Sequence, residues 1–167
     1  MENIKVEKLW APWRVEYIRN PGKGCFFCKG LKSKNYKKAL IIEKRAKAFT
    51  IMNRYPYNNG HLMVAPVRHI GALEYLNDDE ILEINCLLVR VIKAINITMK
   101  PQGFNIGINQ GQVAGAGVVD HIHIHIVPRW QGDTNFMPIL SDTKVVSEAL
   151  LHTYEKIKQG LQRLDKP

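Results

Sequence analysis

The densest chemistry in this 167-residue chain is the run His121-Ile122-His123-Ile124-His125-Ile126-Val127-Pro128, which places half of the six histidines within five positions. Side chains alternate across a strand, so the spacing predicts three imidazoles on one face, with Ile122, Ile124 and Ile126 entering the core. An exposed strand face would more commonly carry Thr, Lys or Glu, which argues against three idle surface histidines. Two chemistries use such a cluster. Three histidines can hold a zinc ion that acidifies a bound water. Alternatively, one imidazole attacks as a nucleophile while its neighbours bind phosphate and protonate the leaving group. The alternation alone does not separate these two.

The flanking residues favour the second. Upstream lies Asn109-Gln110-Gly111-Gln112-Val113-Ala114-Gly115-Ala116-Gly117, whose glycines let backbone N–H groups approach an anion, and Arg129 follows Pro128. On these residues the chain resembles the histidine triad (HIT) superfamily of nucleotide hydrolases and transferases, whose signature His-φ-His-φ-His-φ-φ, with φ apolar, is intact. The resemblance runs from about Cys25 to Arg129 and includes Phe49-Thr50-Ile51-Met52-Asn53-Arg54 and Asn59-Gly60-His61-Leu62-Met63-Val64. It implies that Asn53 contacts the nucleotide ribose, that His61 supports the hydrogen-bond network, and that His123 is the nucleophile. The second ring nitrogen of His123 would donate to a backbone carbonyl, fixing the reactive tautomer. By the same resemblance His125 contacts the phosphate and helps protonate the leaving oxygen. Asn109 and the N–H groups of Gly115, Ala116 and Gly117 then stabilise charge on five-coordinate phosphorus. Where the common family pattern has Gln four residues before the first histidine, this chain has Gly117. The leaving-group contact would therefore pass to backbone or to Gln112.

A second constellation begins with Cys25-Phe26-Phe27-Cys28. Three cysteines make no disulfide framework, and in a reducing compartment this pair reads as half a metal site or a redox dithiol. The third, Cys86, falls on an apolar helical pattern and reads as core, which argues against a zinc ribbon. Several bacterial HIT members and the related galactose-1-phosphate uridylyltransferases are similar here. The resemblance implies a structural zinc held by Cys25, Cys28, His69 and His121. Leu9-Trp10-Ala11-Pro12-Trp13-Arg14 and the stretch from Pro128 to Met137 are similar to the bacterial branch that includes diadenosine tetraphosphate phosphorylases. Such enzymes split the dinucleotide with orthophosphate into ATP and ADP. Two rival readings stand beside this one: a hydrolase that uses water on dinucleotides or nucleoside phosphoramidates, and a zinc-containing basic binding module without turnover.

These residues need elements to position them. The apolar patterning predicts strands over 40–43, 48–53, 62–67, 104–109 and 121–127, the first three as an antiparallel meander. Asn77 followed by Glu80 resembles a capping box, and Ile81, Ile84, Leu88, Val91, Ile92 and Ile95 recur at helical spacing up to Pro101. A second helix is expected over 144–164, with Val145, Leu150, Tyr154, Ile157 and Leu161 on its apolar face. The expected class is α+β: an antiparallel five-stranded sheet in a HIT-like fold, with one long and one C-terminal helix on one side. The family resemblance adds a homodimer paired through the long helix and an edge strand.

Composition fits one domain of ordinary globular character, and 46% hydrophobic with 23% charged residues excludes collagen, coiled coil and wholesale disorder. No apolar run reaches membrane-span length and the N-terminus lacks a signal-peptide pattern, so a cytoplasmic protein is expected. The formal net charge of +9 is concentrated in residues 1–50, which hold 13 of the 24 Lys and Arg against 4 of the 15 acids. Residues 1–37 are accordingly read as a basic N-terminal extension packed on a HIT domain over 38–167. Such a charge favours polyanions, here a nucleotide or dinucleoside polyphosphate with orthophosphate as acceptor. Nucleic acid is not the expected partner, since the basic run from Lys29 to Lys38 interleaves a single aromatic, Tyr36.

Overall fold

The computed structural model describes residues 24–133 and 148–166. Residues 1–23 of the basic extension, with Leu9–Arg14 among them, residues 134–137 of the stretch ending at Met137, and residues 144–147 of the expected second helix, with Val145, lie outside the described residues. Within them five strands form one antiparallel sheet: β1 (Ile41–Lys44), β2 (Ala48–Met52), β3 (Leu62–Pro66), β4 (Gly103–Ile108) and β5 (Ile124–Arg129). The strand order is β1-β2-β3-β5-β4, so β5 lies inside the sheet between β3 and the edge strand β4. The α+β class and the five-stranded antiparallel sheet are as the sequence predicts.

Three helices accompany the sheet: α1 (Phe26–Leu31), α2 (Asp78–Met99) and α3 (Leu150–Leu164). Helix α2 starts where the capping box requires, with Asn77 Oδ1 accepting from the Glu80 N–H at 3.0 Å and Glu80 Oε2 accepting from the Asn77 N–H at 3.0 Å. It ends at Lys100, which takes a left-handed φ of 48° just before Pro101. Ile84, Leu87, Val91, Ala94 and Ile95 form its buried stripe. Helix α3 crosses it at Gly160, where an added Cβ would fall 2.5 Å from the Ala94 carbonyl oxygen, so only glycine permits this approach.

Two sequence expectations about α2 change. Ile81 is exposed, and so is Cys86, which was expected in the core. At about 3.6 residues per turn, Cys86 lies with Leu82 and Val89 on the side away from the buried stripe. The apolar pattern of this helix therefore covers two faces, of which one meets the sheet.

β2 and β3 are buried along their whole length because both of their faces are covered. Phe49 and Ile51 of β2 meet α1 through Phe27 and the backbone of Gly30. By alternation Ala48, Thr50 and Met52 turn the other way, toward the long helices. A short helix on the first face is not among the elements the sequence predicts. It brings Cys25 and Cys28 over the sheet.

Candidate active site and metal cluster

The triad departs from a uniform strand in an informative way. Only Ile124 and its successors join the β-ladder; His121 and His123 precede it. Extending the antiparallel register one pair beyond Val64↔Ile124 and another would set Pro66 opposite Ile122, and proline has no N–H to give. The Ile122 N–H instead donates to the Ile70 carbonyl at 2.7 Å, and the Pro66 carbonyl accepts from His121 Nε2 at 2.9 Å. Ile122 and Ile126 enter the core as expected, whereas Ile124 is half-buried. His121 and His123 are themselves buried.

His123 Nδ1 lies 2.8 Å from the carbonyl oxygen of its neighbour two residues back, His121. A carbonyl can only accept, so the proton sits on Nδ1 and Nε2 carries the lone pair. The His123 and His125 rings stand edge-to-face with centroids 4.8 Å apart. His61 Nδ1 accepts from the Tyr57 backbone N–H at 3.0 Å, which places the His61 proton on Nε2. That proton points at His125 Nδ1, 3.0 Å away. His125 must then accept at Nδ1, and its own proton resides on Nε2. A backbone amide thus sets two side-chain tautomers in sequence, and His125 presents an N–H beside a lone pair on His123. Tyr57 was not among the residues singled out from the sequence; its backbone carries the contact, which no residue type announces. Its ring also stacks on His61 at 4.7 Å.

His123 and His125 open onto a cavity of about 500 Å³ that also borders Asn53, Gly117, Phe26 and Lys38. Asn53 Oδ1 accepts from the Tyr55 N–H at 2.9 Å, so its amide is oriented by the following turn. Of the glycine-rich segment, Gly117 reaches the cavity. The N–H groups of Gly115 and Ala116 instead donate to Gln112 and Gly111 carbonyls within the loop, at 3.0 and 3.3 Å. Asn109 is half-buried with Nδ2 3.5 Å from the Gly115 carbonyl, and Gln112 is exposed; neither borders the cavity.

The second predicted constellation also converges. One ligand atom from each of Cys25, Cys28, His69 and His121 lies within 4.8 Å of all the others, so the four could hold a metal ion. Cys25 Sγ is 3.3 Å and Cys28 Sγ 3.7 Å from His121 Nδ1, Cys28 Sγ is 3.4 Å from His69 Nδ1, and the two Nδ1 atoms are 3.3 Å apart. His121 donates from Nε2 to Pro66, which directs its Nδ1 lone pair into this cluster. Burial pushes the His121 imidazole down to about 4, so it is neutral at pH 7. His69 reaches the cluster because its segment is anchored twice. Arg68 pairs with both oxygens of the α2 capping residue Glu80 at 2.9 and 2.7 Å, holding that carboxyl at about 2. Gly71 packs so closely that an added Cβ would lie 2.8 Å from the Val119 carbonyl oxygen. The four residues expected to hold zinc are thus brought together, two of them from α1 and its N-cap.

Comparison with known proteins identifies the family and the fold. Residues 33–132 match the HIT domain family. The chain is 34% identical over 158 residues to an AP-4-A phosphorylase of Mycobacterium tuberculosis, covering 89% of this chain and 81% of that protein. It is 27% identical over 145 residues to an adenosine 5'-monophosphoramidase of Candida albicans, covering 84% of this chain and 93% of the relative. The crystal structure of a zinc-bound histidine triad family protein from Mycobacterium smegmatis shares the fold with a TM-score of 0.66 at 23% identity, over 85% of this chain and 96% of the other.

Proposed function

The chain belongs to the HIT domain family, and from that premise we propose that it transfers a nucleotidyl group through His123, splitting dinucleoside polyphosphates such as diadenosine tetraphosphate by phosphorolysis. The observation that carries this reading is the pair of fixed tautomers at the cavity: a lone pair on His123 Nε2 beside an N–H on His125.

In the proposed reaction, Nε2 of His123 attacks the α-phosphorus of one adenosine. A P–N bond forms as the P–O bond to the remaining polyphosphate breaks, its electron pair leaves on the departing oxygen, and His125 Nε2–H donates a hydrogen bond that stabilises the charge developing there. ATP leaves and adenylyl-His123 remains. Orthophosphate then attacks the adenylyl phosphorus, the P–N bond breaks, and ADP departs. The Gly117 backbone stabilises charge on the five-coordinate phosphorus, and Asn53 Nδ2 donates to a ribose oxygen. Asn109 and Gln112 act only if the glycine-rich segment moves toward the cavity when nucleotide binds.

The donor set fits zinc. With Zn–S of about 2.3 Å and Zn–N of about 2.0–2.1 Å, the edges of a tetrahedron are about 3.3–3.8 Å; four of the six separations fall in that range, and all six lie within 4.8 Å. Two thiolates and two neutral imidazoles fill all four positions, so the metal would be structural and would supply no step of the reaction.

Rapid alkaline quench of the protein with diadenosine tetraphosphate, followed by peptide mass analysis, tests the covalent step. An adenylyl group on the peptide containing His123 is the expected result. Turnover without any adduct would replace the two-step route by direct transfer.

The name of the Candida relative favours a second reading, hydrolysis of a phosphoramidate through the same adduct, with water in place of orthophosphate. Product analysis separates the two.

A further inference from the structure

Phe27 lies between the two cysteines of the metal cluster, yet its side chain belongs to neither constellation described above. It is fully buried. Its ring centroid is 4.9 Å from that of His121 and 5.0 Å from that of His123, tilted by 42° and 48°. One aromatic ring therefore packs against both the metal-cluster histidine and the proposed nucleophile. The same ring meets Phe49 edge-on at 6.0 Å and Phe26, a cavity residue, at 4.0 Å. A second link runs parallel to it, the hydrogen bond from His123 Nδ1 to the His121 carbonyl. That bond sets the His123 tautomer at one ring atom, and the Phe27 ring, packed against the imidazole, restrains the plane in which it lies.

We infer that Phe27 is the positioning residue for His123, and that through it the Cys25/Cys28 turn fixes the angle from which His123 Nε2 reaches phosphorus. The inference rests on the reading of His123 as nucleophile. Its chemistry is steric: the ring touches no substrate, and neither gains nor loses a proton. A displacement of about 1 Å at an attacking atom lowers a rate by up to about 10²-fold with little change in binding. Loss of the ring should therefore appear in kcat and not in KM.

The test compares Phe27→Leu with Phe49→Leu, in the full-length protein purified with its metal. Both remove one ring from the same buried cluster, but Phe49 makes no ring contact with His123 among the described residues and stands 6.4 Å from His121. Three quantities are measured: metal content, kcat and KM on diadenosine tetraphosphate with orthophosphate, and the His123 Nδ1–H resonance in histidine-labelled protein. Phe27→Leu is expected to keep its metal and its KM within about threefold, while kcat falls roughly tenfold or more and the His123 signal broadens through faster exchange. Phe49→Leu should keep both kcat and the signal. Equal effects in the two variants would reduce Phe27 to an ordinary core residue, and a Phe27→Leu protein indistinguishable from the parent would overturn the inference. If Phe27→Leu does not fold, Phe27→Met takes its place, since methionine conserves most of the volume without an aromatic face. A parent protein without turnover would refute the proposed function, and the His123 signal would then decide the positioning role alone. A parent lacking that signal would overturn the positioning role as well.

Discussion

At the scale of single residues, the decisive feature is that protons are placed by neighbours that cannot themselves change state. The His121 carbonyl and the Tyr57 amide have one hydrogen-bonding role each. They leave His123 able to give electrons and His125 able to donate a hydrogen bond. His123→Asn should keep nucleotide affinity within about tenfold, measured by calorimetry, and lower kcat by at least about 10³-fold, because the fold tolerates the amide and the chemistry does not. A variant turning over at near-parent rate would remove the nucleophile role. The identities of the histidines were legible in the sequence because chemistry restricts residue type. What orients them was not. Tyr57 acts through its main chain, and Phe27 looks like any buried aromatic until the register shows which rings it touches.

At the scale of elements, turn chemistry and strand register do the positioning. The capping box of α2 was readable from Asn77 and Glu80, but the use of Glu80 to anchor Arg68, and with it His69, was not. That link joins residues 12 apart through tertiary contact. The late start of β5 follows from Pro66 lying opposite the triad, a consequence visible only once β3 and β5 are known to be neighbours. Cys86 shows the limit of periodicity: apolar residues all round α2 do not say which face meets the sheet. Helix α1 is six residues long, too short to announce itself by periodicity, and Cys25 and Cys28 bring its N-terminal end to His69 and to His121, just ahead of β5. Cys25→Ser should therefore release bound zinc and lower the thermal midpoint together, by several degrees, as read by elemental analysis and calorimetry. Full zinc content in that variant would exclude Cys25 as a ligand.

At the scale of the molecule, two histidine systems, joined by the His123–His121 hydrogen bond and by Phe27, meet beside the sheet. None of the described helices is long and apolar enough to cross a membrane. The outer side of α2 exposes Leu82 and Val89, and the edge strand β4 exposes Ile106. We propose that a second copy of the chain covers them, as the expected homodimer requires. Val89→Glu should then convert a dimeric sedimentation coefficient to a monomeric one, while a parent already monomeric at micromolar concentration would exclude this pairing. The central claim concerns the reaction itself, and one measurement addresses it most directly: anion-exchange analysis of products from diadenosine tetraphosphate, incubated with the protein in the presence and absence of orthophosphate. The account predicts ATP and ADP, formed only when orthophosphate is present. ATP and AMP formed without orthophosphate would contradict phosphorolysis and assign a hydrolase, and no products under either condition would contradict catalysis on this class of substrate.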